Sequence, residues 1–173
     1  MSERGLVLGV DPGKAGAVAA VSADPHPDLW ECLAWTSDDM TASTLLDRIA
    51  ALTPFPIIGV AVESQYVAVN RATTIRLAQR AGRWEEACRV RGIPFAFVPP
   101  SSWQAAELGL ARTAQRGQLK KMAVAKVRGL FHRTAVEHAA DAILIARYAS
   151  LEHQREQMRW VRPPHPGKGG GAT

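Results

Sequence analysis

Only two cysteines occur in the 173 residues, Cys32 and Cys88, and they stand far apart. That scarcity excludes a disulfide-stapled fold and a zinc knuckle, and it fits a reducing intracellular compartment. No apolar run approaches the roughly 18 residues of a membrane span. The first one is interrupted by Asp11-Pro12-Gly13, not by a small-residue cleavage signal. The chain therefore reads as soluble, unprocessed and cytoplasmic, with no membrane partner. Acidic residues are the minority, 16 against 21 Lys and Arg, which leaves a formal charge of +5. The balance favours an anionic partner such as nucleic acid over an acidic small molecule. A hydrophobic fraction of 47% is enough for one core. Neither an internal repeat nor a second domain is visible.

Gly5 to Val10 is a short continuous apolar run, as expected of a strand buried on both faces, and Asp11-Pro12-Gly13 turns the chain at its end. Ala15 to Val21 follows too closely for a helical crossover, so the two runs form an antiparallel hairpin. Leu29 to Trp35 reads as a third strand. Thr41 then caps a helix whose Leu45, Leu46, Ile49 and Leu52 fall at helical spacing, and Pro54 and Pro56 break it. Ile57 to Val62 is a fourth strand and delivers Glu63 at its end, as the first run delivers Asp11. A long helix over 71–91 carries Leu77, Ala81, Trp84 and Cys88 on one stripe, with Gly92 as its C-terminal cap. Phe95 to Val98 is a fifth strand. Pro99-Pro100-Ser101-Ser102 supplies a stop and a serine cap for a short helix through Trp103 to Leu108. Residues 115–131 form a helix with Leu119, Met122, Ala123, Val127 and Leu130 inward and Lys120, Lys121 and Arg128 toward solvent. The last helix runs from about Val136 to Leu151 or beyond. These assignments give one domain over 1–160. Residues 161–173, rich in Pro and Gly, read as a disordered tail.

On the last helix His138 and Asp141 are three residues apart, so they share a face. Asp11 and Glu63 from strand ends could join them. A carboxylate-rich site with few neutralising groups is costly unless a cation is present. Hard oxygen donors suit magnesium or manganese, and a pair of such ions can activate a water and stabilise the leaving oxygen of a phosphodiester.

Leu8-Gly9-Val10-Asp11-Pro12-Gly13, Val60-Ala61-Val62-Glu63 and His138-Ala139-Ala140-Asp141-Ala142 resemble, in that order, the acidic motifs of RuvC-type Holliday junction resolvases. The resemblance spans roughly residues 5 to 150, and its specificity lies in the ordered triple. It implies an α/β, RNase H-like fold with a five-stranded mixed sheet flanked by helices. It further implies a homodimer acting on four-way branched DNA, and two divalent ions, Mg2+ or Mn2+, held by Asp11, Glu63, His138 and Asp141. The family carries Asp or His where His138 stands. The implied products are a 5′-phosphate and a 3′-hydroxyl. By the same resemblance Tyr66 falls where an aromatic stacks on bases near the crossover, and Lys120 or Lys121 where basic residues approach the scissile phosphate. Residues 70–74 open the helix that pairs with its mate across the dimer. The first hairpin, with Gly16 five residues after Asp11, is shorter than in cellular enzymes and looks more like phage-encoded relatives.

Blander readings stand beside these. Glu137 suits a helix N-terminus through the dipole, Glu85 and Glu86 are surface charges, and Trp84 and Trp103 are core or interface anchors. Three rival functions remain open from the residues alone. One is an RNase H-like nuclease for other branched DNA or RNA-DNA hybrids. The second is an actin-like or sugar-kinase-like ATP binder, whose first phosphate loop Asp11-Pro12-Gly13 also resembles. The third is a junction-binding protein without catalysis.

Overall fold

Side chains that alternate between two covered faces organise the molecule from its first strand. In β1 (Leu6–Asp11) and its hairpin partner β2 (Gly16–Ser22) every residue is buried, so both faces of this ribbon are covered. The structure, a computed structural model, describes residues 5–36, 41–64, 71–109 and 115–163. Three further strands, β3 (Leu29–Trp35), β4 (Ile57–Glu63) and β5 (Phe95–Val98), complete one sheet in the order β3-β2-β1-β4-β5. β1, β2 and β3 pair antiparallel, whereas β1-β4 and β4-β5 are parallel. The sheet is therefore mixed and five-stranded, as expected.

Successive side chains on a strand point to opposite faces. Leu6, Leu8 and Val10 of β1, with Val60 and Val62 of β4, pack beneath α1 (Ala42–Leu52) and α2 (Arg71–Arg91). Val7 and Ala61 face the other way, into a core built with α3 (Pro100–Leu108), α4 (Arg116–Phe131) and α5 (Glu137–Gln154). By the same alternation Asp11 and Glu63 belong to the α5 face. Gly9 lies on that face too, and a Cβ there would stand 2.2 Å from the Ala146 nitrogen and 2.3 Å from the Ala142 carbonyl oxygen. Glycine thus lets α5 lie directly on β1. At its far end α5 is pinned by the Ser150 hydroxyl, which donates to the Ser22 carbonyl at 2.8 Å.

Local expectations fail mainly at element ends. Thr41 does cap α1, accepting from the Thr44 N–H. Leu52 and Leu130, however, are 55% and 40% exposed, because the last turns of α1 and α4 run past what they pack on. Ser101 and Ser102 do not cap α3. The helix already begins at Pro100 with Pro99 as its cap, and proline is tolerated at the first helical position because its missing N–H would have had no partner there. Val161, expected in the tail, exchanges two backbone hydrogen bonds with Phe95, at 2.7 and 3.0 Å, extending the β5 edge. The remainder of that segment, 164–173, lies outside the described residues. Among the described residues no helix is long and apolar enough to cross a membrane.

Candidate active site

Asp11 and Glu63 end neighbouring parallel strands on the α5 face, and His138 and Asp141 sit in the first two turns of α5 above them. All four line one cleft of about 670 Å³, together with Lys14, Arg80 and Lys120. The structure thus gathers the four side chains that sequence spacing singled out. His138 Nδ1 lies 2.9 Å from Asp11 Oδ2, the imidazole N–H donating when its proton is on Nδ1. Asp11 Oδ1 accepts from the Gly13 N–H at 3.2 Å, an Asx-type contact that shapes the β1–β2 turn. The turn is held from outside by the Trp35 indole, which donates to the Gly13 carbonyl and stacks on Trp84. Gly16 is required beside it, since a Cβ would meet the Asp11 carbonyl oxygen at 2.3 Å.

Glu63 is held by a residue whose role sequence reasoning missed. The Trp103 indole N–H donates to Glu63 Oε1 at 3.0 Å, and Trp103 itself is 1% exposed. It is a core anchor as expected, but its polar edge reaches the cleft. No sequence spacing links a tryptophan to a glutamate 40 positions upstream. The helix that carries it, α3, is fixed by Glu107, a buried carboxylate that binds Arg147 at 2.6 Å and Lys126 at 3.0 Å.

Electrostatically the carboxylates crowd one another at the base of the cleft. Burial, and then the neighbouring charge of Asp11, push the Asp141 carboxyl up to about 7, with Lys120 and His138 opposing. Among the described residues no three His, Cys, Asp or Glu side chains form a ready-made ion site. The donors are instead partly engaged with His138, Gly13 and Trp103. The set nevertheless fits a hard divalent cation: three carboxylates and an imidazole line one cleft, and burial beside Asp11 disfavours the charged form of Asp141, a cost that a bound cation would offset.

The two lysines separate. Lys120 lines the cleft and is ion-paired to Glu137, whose position in the first turn of α5 also suits the helix dipole. Lys121 is exposed and lines a different hollow with Gln115, Gly117 and Gln118, so the structure does not bring it to the carboxylates. Tyr66 lies outside the described residues.

Comparison with known proteins follows the same lines. The profile of the family described as crossover junction endodeoxyribonuclease RuvC matches residues 7–148. The crossover junction endodeoxyribonuclease RuvC of Bifidobacterium adolescentis is 32% identical over 154 residues, covering 82% of this chain and 77% of that protein. The protein of the same name from Bifidobacterium longum subsp. infantis is 30% identical over 156 residues, covering 82% and 76%. Among solved structures, Thermus thermophilus RuvC superposes with a TM-score of 0.67 at 22% identity, over 90% of this chain and 99% of that one. The same protein in complex with a Holliday junction substrate gives 0.64 at 20% identity, over 91% and 99%.

Proposed function

The chain belongs to the RuvC family of crossover junction endodeoxyribonucleases, and on that premise we propose that Asp11, Glu63, His138 and Asp141 are its catalytic metal ligands. It is an endodeoxyribonuclease that resolves Holliday junctions. The observation that carries the site assignment is the convergence in one cleft of two strand-end carboxylates and two side chains of α5.

Two divalent ions, Mg2+ or Mn2+, would supply activation of the attacking water and neutralisation of the charge that builds on the phosphate. The chain's own groups prepare for this. Trp103 fixes Glu63 Oε1 and so limits how the carboxylate turns. Asp11, at the end of β1 and 2.9 Å from His138, would contribute its carboxylate to holding the ions. His138 and Asp141 close the cleft from above, and Lys120 adds a positive charge beside the phosphate site. Hydrolysis in this arrangement leaves a 5′-phosphate and a 3′-hydroxyl. Two copies related by a two-fold axis would set one cleft on each of two like strands of the junction. Ile75, 49% exposed on α2, supports a helix with apolar surface left for such a partner.

Asp11→Asn tests the assignment. The variant loses a ligand but no DNA contact, so it should bind a four-way junction close to normally while cleavage falls by at least about 100-fold. Near-normal cleavage by this variant would remove Asp11 from the catalytic set.

A further inference from the structure

The cleft does not end at its carboxylates. Lys14, in the β1–β2 turn, and Arg80, on α2, line both that cleft and an adjoining hollow of about 310 Å³ whose other walls are Arg76, Gln79 and Arg83. Lys14, Arg76 and Arg83 are exposed, and among the described residues none of these three side chains has a hydrogen-bond or ion-pair partner. Residues 71–83 hold four arginines and no carboxylate. Further along the same helix the pattern reverses: Arg89 is bound by Glu85 and Arg91 by Asp47. Arg89 and Arg91 are thus neutralised away from the cleft, whereas Arg76 and Arg83 stand beside it without a partner among the described residues.

Spacing identifies the anion. Arg76, Arg80 and Arg83 follow at i, i+4 and i+7 and so share one helix face. At a rise of about 1.5 Å per residue they extend over roughly 10 Å. Each strand of a duplex carries a phosphate every ~3.4 Å of its axis, so a row of this length faces more than one phosphate of a strand. A free phosphate would occupy one step and leave the rest repelling. We propose that this trough is the track for the phosphates flanking the scissile one, gripped by Arg76, Arg80, Arg83 and Lys14, so that the cut strand passes the β1–β2 turn and runs along α2. The inference rests on the reading of the carboxylate cleft as the nuclease site. Contacts of this kind position the strand without reading its sequence.

The test is the salt dependence of binding to a fluorescent four-way junction, in the full chain carrying Asp11→Asn so that no cutting intervenes. Adding Arg76→Gln and Arg83→Gln should flatten the slope of log K against log salt, between about 50 and 200 mM, by about 0.9 for each arginine removed. Melting temperature should not change, because both side chains are exposed. An unchanged slope would overturn the track. So would an equal flattening per charge from Arg155→Gln at the other end of α5, which would reduce the effect to net charge. Junction cleavage by the wild-type chain, run in parallel, separates the two readings. Intact metal-dependent cleavage with an unchanged slope removes only the track. Absent cleavage removes the nuclease reading, while the slope still decides whether DNA lies along α2.

Discussion

At Asp141 and Trp103 two single interactions shape the proposed cation site. Because the Asp141 carboxyl is pushed up to about 7 from an ordinary 3.8, the metal-free folded chain keeps a proton that the unfolded chain releases. Between those values the folded state binds more protons, so stability must fall as pH rises. The contribution is complete below about 4 and lost by the time pH has passed 7. Thermal melts in chelator from pH 4 to 8 should therefore decline more steeply for the wild type than for Asp141→Asn. Mg2+ should restore the wild type at pH 8 and not the variant. Parallel melting curves would contradict the account. Trp103→Phe removes the donor to Glu63 and keeps most of the buried ring. Its partner is a proposed metal ligand, and loss of such supporting hydrogen bonds typically weakens metal affinity 10- to 100-fold. Calorimetric Mn2+ affinity should show that loss, and in a Glu63→Ala background the same change should do nothing. A loss of equal size in both backgrounds would make Trp103 a packing residue only.

Among the elements, the contact of α5 with β1 decides whether the donors meet. Gly9→Ala would drive a methyl into the backbone of Ala142 and Ala146, which cannot rotate aside. Destabilisation should reach the upper end of the overpacking range, about 3 kcal/mol in urea titration, and activity should fall further as Asp141 moves from Asp11. Gly82→Ala, with nothing within 4 Å of the new methyl, should instead stabilise α2 by about 0.5–1 kcal/mol. Equal effects at the two positions would mean that α5 is not seated on glycine. Much of this scale was legible in the sequence. The continuous apolar runs and the turn after Asp11 marked the strands, because burial on both faces leaves a local signature. Leu130, expected to face inward, is exposed, since helical spacing says which face a residue is on but not where the supporting surface stops. The Trp103–Glu63 bond and the Arg76–Arg83 trough were not legible, because each depends on elements brought together only by the fold.

For the whole molecule, the family match over residues 7–148, on a mixed sheet with helices on both faces, decides for the nuclease and against the ATP-binding alternative. The acidic triple and its order along the chain were enough to reach the family, as the profile match over residues 7–148 shows. Assembly was reached only through resemblance, and two-strand cutting depends on it. The most direct measurement is therefore product analysis on a mobile four-way junction labelled on each strand, with and without Mg2+ or Mn2+, beside linear duplex and RNA-DNA hybrid. Paired nicks at symmetric positions on two like strands, only with the divalent ion and not on the linear substrates, are the predicted result. Cleavage that survives chelation, or that proceeds as well on duplex or hybrid as on the junction, would contradict the central claim.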